Sequence, residues 1–257
     1  MSSFEALVEI VARLRSENGC PWDRAQTAES IRPYVIEEAH EVVDAIDAAD
    51  LPAIKKELGD LLFQVLLLAQ IHSESGAFDI EDVSQTIADK MVRRHPHVFD
   101  PNHVPSDDEG SIGAWEARKS KERGDKESMM DGIPASLPGL LRAHRVGEKV
   151  SQVGFDWPNL EGVRDKIQEE REELDEAIQN GNHDEIVAEY GDLLLSVSNM
   201  GRFLNTDPET ALRLANKRFE KRFRHVEALA QTQGLRLHEM EIDELEALWQ
   251  EAKKKTD

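Results

Sequence analysis

The sequence predicts an all-α protein built from two tandem helical repeats, each contributing a helical hairpin to four-helix-bundle-like packing. Three observations point there. Apolar residues recur at three- and four-residue intervals along most of the 257 positions, and alternating strand-type runs never exceed a few residues. Aromatic residues make up only 5% of the chain, while Ala, Leu, Glu, Lys and Arg are abundant. One acidic pattern, E-E-x-x-E, fifteen residues, then E-x-x-D, occurs twice, 132 positions apart.

The elements follow in order. Phe4, Leu7, Val8, Val11 and Leu14 mark a first helix over 4–15, stopped near Asn18-Gly19 with Pro21 beyond. Trp22 and Asp23 are expected in a loop. Pro33 fits the first turn of the next helix, which carries Val35, Ile36, Ala39, Val42, Val43 and Ile46 and ends near Asp50-Leu51. A third helix covers about 52–75, with Gly76 as its stop. Asp79 caps a fourth through Val83, Ile87 and Met91, which Pro96 ends because the residue before proline leaves the helical region. Residues 100–111 are polar, with two prolines and a glycine, and read as an exposed linker. A charged helix over 115–126 follows, and Gly132-Ile133-Pro134 marks a boundary. The second half repeats the plan: a helix over 138–150, a loop at 154–158 that echoes 19–23, an acidic helix over 160–179, a turn at Asn180-Gly181-Asn182, a helix over 184–204, another from Asp207-Pro208 to about 231, and a last one holding Trp249. The expected division is 1–100, a linker with a charged helix at 101–134, and 135–257.

A net charge of -21 argues against a general nucleic-acid binder, whose footprint would be basic. It also means that a phosphate-bearing ligand needs bound cations or a local Arg and Lys cluster to approach. A single cysteine, Cys20, permits no intrachain disulfide and fits a reducing cytosol. The N-terminus lacks a signal-peptide core, and the longest apolar run, 65–69, is far short of a membrane span. A cytoplasmic protein without membrane or nucleic-acid partners is the expectation.

The repeated acids are Glu37, Glu38, Glu41, Glu57 and Asp60, and again Glu169, Glu170, Glu173, Glu189 and Asp192. Eleven of the 26 positions from 37 to 62 match 169–194, and five of the matches are these carboxylates, the residues a drifting duplicate varies most freely. On a helix Glu37 and Glu41 lie about 40° apart, with Glu38 about 60° from Glu41. Glu57 and Asp60 point together at i and i+3. If the two acidic helices pack as an antiparallel hairpin, five carboxylates converge, and Mg²⁺ ions would relieve their repulsion. A solvated acidic face is the bland alternative, and the retained type and spacing argue against it. So does the glycine inside Gly59-Asp60-Leu61-Leu62 and Gly191-Asp192-Leu193-Leu194: a helix-interior Gly costs about 1 kcal/mol against Ala, so its repetition implies close approach of a helix or a ligand. Glu37-x-x-His40 has the di-iron spacing, but Glu172 stands where His40 would recur, and an all-oxygen set favours Mg²⁺ or Mn²⁺. His95-Pro96-His97 fits a turn better than a metal site, and nothing near Cys20 resembles a nucleophile's base.

The ordered pair E-E-x-x-E and E-x-x-D resembles the all-α nucleoside triphosphate pyrophosphohydrolases. With GCPWD at 19–23 and RRHPHVF at 93–99, the tandem form is similar to the MazG family over nearly the whole chain. The resemblance implies Mg²⁺-dependent hydrolysis of nucleoside triphosphates to monophosphate and pyrophosphate, a homodimer, and a role in nucleotide-pool housecleaning. It implies metal binding by the acids above, with Glu170 and Glu173 catalytic, and nucleotide contacts from Asn216, Arg218 and Arg222. Trp249 is either a base contact or a core aromatic, and Lys119 either a phosphate contact or solvated surface in ARKSKER. The first half has Ala88 where Asn216 stands, with Lys90 and Arg94 downstream, so catalysis is expected in the second half. A duplicated helical dimer that senses nucleotides or docks a protein, without catalysis, is the competing class.

Overall fold

The computed structural model describes residues 2–103 and 128–256, so Lys119 and the charged helix expected over 115–126 lie outside the described residues. Every regular element among the described residues is helical. The chain divides into two compact units, Met1–Glu122 and Arg123–Asp257.

In the first unit, α1 (Ser3–Arg15) opens on a capping box in which Ser2 and Glu5 satisfy each other's backbone N–H groups. The loop then turns into a short helix, α2 (Pro21–Ala25), with proline at its first position. Trp22 and Asp23 thus stand on a helical turn rather than in the expected loop. The next helix, α3 (Ala28–Asp47), starts earlier than expected: Thr27 and Ser30 form its capping box, which leaves Pro33 inside the helix instead of in its first turn. It ends at Asp47, because Asp50 is taken as the N-cap of α4 (Leu51–Glu74). Asp79 caps α5 (Ile80–Arg94) as expected, and Pro96 then starts a further turn of helix, α6 (Pro96–Phe99). The long helices α3 and α4 pack as a hairpin, and α1 lies across α4. Val11, Ile31, Leu66 and Leu67 form the buried centre.

The second unit repeats this order with α7 (Gly139–Ser151), α8 (Leu160–Asn180) and α9 (His183–Phe203). Gly181 ends α8 in the left-handed conformation at φ 68°, and Asn182 caps α9, so the Asn-Gly-Asn turn forms as the sequence predicts. Asp207 caps α10 (Pro208–Thr232), a 3₁₀ turn follows at Leu237–Glu239, and α11 (Ile242–Thr256) packs on α10. The seam between α7 and α9 is polar where its counterpart is apolar. His144 and Asn199 are buried there, beside Gly201 and Gly147, Ser196 and Ser198 are also buried on α9, and the apolar cluster lies instead between α10 and α11, at Val226, Ala230, Leu248 and Ala252.

Each unit ties its hairpin to the preceding loop with one arginine, placed differently. In the first, Arg15 on α1 grips Glu74 with two 2.7 Å bonds and donates to the carbonyls of Asp23 and Gln26. In the second, Arg202 on α9 donates to the Gly147 carbonyl at 2.7 Å and pairs with Asp156.

Candidate metal and nucleotide site

The α3–α4 hairpin brings ligand oxygens of Glu38, Glu41 and Glu57 within 4.8 Å of one another, and α8–α9 does the same for Glu170, Glu173 and Glu189. The register is identical, so the fold builds the same triad twice. Glu37, Asp60, Glu169 and Asp192 stand outside these tight groups, and His40 is exposed and outside as well. Three of five predicted carboxylates therefore converge in each unit. All three are oxygen-only acceptors, the chemistry a hard divalent cation takes.

The crowding is visible in the acids themselves. The Glu41 carboxyl is held above its ordinary range, first by lost hydration and then by repulsion from Glu57 and Glu38. Glu173 is pushed up in the same way, by lost hydration and by Glu170. Each unit supplies one lysine against this repulsion, from opposite helices. Lys56 on α4 reaches Glu57 at 3.0 Å and Asp60 at 3.4 Å. Lys166 on α8 reaches Glu169 at 2.7 Å and Glu170 at 2.8 Å, and its ammonium is correspondingly harder to deprotonate. Glu170 is buried, and in the first unit the buried Gln64 amide donates to Glu38 at 3.4 Å. Sequence reasoning missed both lysines. Lys166 was legible, since it precedes Glu169 and Glu170 by three and four residues on one helix.

The residues predicted to bind nucleotide lie on a helix outside the acidic hairpin. Asn216, Arg218 and Arg222 are on α10, which packs on α7 and α11. Arg218 and Arg222 share a face, but Asn216 and Arg218 are about 160° apart on a regular helix, so the three do not form one surface. Trp249 is half-buried on α11, 4.9 Å from the Phe219 ring, which itself stacks with Phe223. It is a partly exposed member of an aromatic group.

No atom of the described residues explains Gly59 or Gly191. A Cβ at either would meet nothing within 4 Å, so the close approach expected from their repetition is not made by a helix of the same unit. The faces around them are apolar and exposed: Leu58 and Val65 on α4, and Val187, Tyr190, Leu194 and Val197 on α9.

A family model described as the MazG nucleotide pyrophosphohydrolase domain matches this chain twice, at residues 26–99 and 159–227. The chain is 48% identical over 252 residues to the nucleoside triphosphate pyrophosphohydrolase/pyrophosphatase MazG of Thermotoga maritima, spanning 97% of this chain and 95% of the relative. It is 42% identical over 259 residues to a nucleoside triphosphate pyrophosphohydrolase of Escherichia coli, spanning 99% and 98%. It is 40% identical over 252 residues to the uncharacterized protein YabN of Bacillus subtilis, spanning 97% of this chain and 51% of that one. No helix among the described residues is long and apolar enough to cross a membrane.

Proposed function

The chain belongs to the MazG nucleotide pyrophosphohydrolase family, and from that premise we propose that it hydrolyses nucleoside triphosphates to the monophosphate and pyrophosphate with Mg²⁺, Mn²⁺ being a workable substitute. The observation that carries this reading is the carboxylate triad built twice in one register. Its donors fit the ion: they are all oxygens, they converge within 4.8 Å, and one acid in each triad, Glu41 and Glu173, is held above its ordinary range by lost hydration and then by repulsion that a cation would relieve. Glu170, Glu173 and Glu189 would hold it in the second unit, with Glu169 and Asp192 completing the set through water. Glu38, Glu41 and Glu57, with Glu37 and Asp60, are the equivalent in the first. When bound, such an ion neutralises triphosphate charge and lowers the pKa of a coordinated water.

The chain's own groups do the rest. Glu173, converged with Glu170 and Glu189, takes the proton from the attacking water. The bond between the α- and β-phosphoryl groups breaks and pyrophosphate leaves. Lys166 compensates the carboxylate charge against an incoming polyanion. Asn216, Arg218 and Arg222 bind the nucleotide. Their helix lies outside the acidic hairpin, and the exposed apolar faces of α4 and α9 lie beside uncovered glycines. Both features support a homodimer in which a second hairpin closes the bundle. Turnover belongs to the second unit. The cellular setting is the cytoplasm, in nucleotide-pool housecleaning.

The test is incubation with each nucleoside triphosphate and Mg²⁺. Pyrophosphate and monophosphate are the expected products; orthophosphate with diphosphate would overturn the reading. Glu173→Ala and Asp192→Ala should abolish turnover while leaving helical content intact. A silent Glu41→Ala would show that the first unit does not turn over.

A further inference from the structure

The two repeats treat one tryptophan differently. In the second unit Trp157 is half-buried and lies on Gly162, where even a methyl group would stand 3.1 Å from the indole Cδ1. Counted from the acids, the position of Gly162 is Ser30 in the first unit. Its hydroxyl donates to Gln26 Oε1 at 2.7 Å and accepts from the Thr27 N–H. Trp22, the tryptophan of the echoing Gly-x-x-Trp loop, lies three positions farther from its acids than Trp157 does and stands 53% exposed. It meets Tyr34 edge-on, with ring centres 6.0 Å apart and planes at 74°. Tyr34 is itself 36% exposed.

Tyr34 occupies the register of Lys166. It precedes Glu38 by one helical turn, about 6 Å along the axis, and Glu41 by about 10 Å on the same stripe. Where the second unit places an ammonium against its carboxylates, the first places an exposed aromatic pair one turn from the same triad. Two rings at an angle beside a cation-type oxygen cluster suit a ligand with a flat π-system at one end and phosphates at the other.

We propose that Trp22 and Tyr34 are the base-stacking platform of a nucleotide site in the first unit, with the phosphates directed along α3 toward Glu38, Glu41 and Glu57. The proposal rests on the nucleotide reading above and extends it to the repeat not assigned turnover. Stacking is tolerant of base identity, because every base presents a π-face. The first unit therefore distinguishes a nucleotide from a bare polyphosphate, and selects weakly among bases.

The experiment uses the full chain labelled at its indole nitrogens, with the Trp22 resonance identified by its loss in Trp22→Phe. A non-hydrolysable nucleoside triphosphate with Mg²⁺ should shift that resonance, and tripolyphosphate with Mg²⁺ should not. Affinities are then measured in a chain whose second triad is disabled by Glu170→Gln and Glu189→Gln. There Trp22→Ala and Tyr34→Ala should each weaken nucleotide binding about tenfold, while Tyr34→Phe retains it and Mn²⁺ binding at the first triad, followed by electron paramagnetic resonance, is unchanged. A static Trp22 resonance at saturating nucleotide, or unchanged affinity in both alanine variants, overturns the platform. So does a Trp22→Ala variant that changes oligomeric state alone. Loss of all nucleotide binding once the second triad is disabled overturns it while the wider reading survives. An unmutated chain that binds no nucleotide ends both.

Discussion

Gly19 is where a single methyl group should do most damage. A Cβ there would stand 2.1 Å from the Leu14 carbonyl oxygen, 2.4 Å from that of Arg13 and 2.6 Å from the Leu14 carbonyl carbon. All three are backbone atoms of the last turn of α1, so no side chain can swing aside. The close approach is held by Gly19 N–H to Ser16 O and Cys20 N–H to Leu14 O, both 2.8 Å. Relieving the clash pushes the loop about 1 Å away and forfeits the second of these bonds. Overpacking costs about 1–3 kcal/mol and a lost hydrogen bond about 1 kcal/mol, so Gly19→Ala should destabilise the first unit by about 3 kcal/mol. For a unit of this size that is a fall of roughly 10 °C in its melting transition. In the separate chain Gly59→Ala is the internal control. Its Cβ meets nothing, and replacing a helix-interior glycine should stabilise by up to about 1 kcal/mol. Calorimetry of the wild type and both variants decides. A Gly19→Ala protein melting within about 2 °C of wild type, or below which Gly59→Ala falls, would refute the reasoning.

Further outcomes are expected. Glu173 has a raised carboxyl pKa, so its charge costs stability above that pKa and the cost disappears as pH falls through it. Glu173→Gln in chelator should therefore melt higher than wild type near neutral pH, with the gap closing on acidification, while turnover is lost. Lys166→Met removes the charge that lowers Glu173 and pairs with Glu170. It should melt lower in chelator and gain more from added Mg²⁺ than wild type does. Arg202→Met strands the Gly147 carbonyl and Asp156, and should cost about 2–3 kcal/mol in urea unfolding, below the full cost of a buried pair because Asp156 is partly exposed. Gly191→Ala should stabilise the separate chain yet weaken self-association in sedimentation if a second copy packs on that face.

Helix type and order were legible because capping residues and glycines sit where the chain turns: Asp79, Gly181, Asn182 and Asp207 each end or begin the element their chemistry predicts. Pro33 misled, since proline signals a first turn, and only the Thr27–Ser30 reciprocal bonds place the start of α3 a turn and a half earlier. Periodicity put Glu38, Glu41 and Glu57 on facing stripes but not at one depth, so it could not separate them from Glu37 and Asp60. The buried polar residues Ser198 and Asn199 were hidden because they alternate with Val197 and Met200, which carry the apolar rhythm. The pairing of exposed Trp22 with Tyr34, twelve residues on, is reported by no local pattern.

The relocated arginine has an evolutionary consequence. Duplicated genes tend to homogenise as recombination copies stretches of one half over the other. Joining the entry helix of the first unit to the hairpin of the second would bring Arg15 and Arg202 to one loop. The reverse exchange would join a helix that ends at Ser151, where the first unit's ends at Arg15, to a hairpin with Gln70 in the register of Arg202, and neither clamp guanidinium would remain. Either hybrid is born electrostatically unbalanced. An exchange between the halves would thus either double the clamp or lose it, which opposes the overwriting of one half by the other.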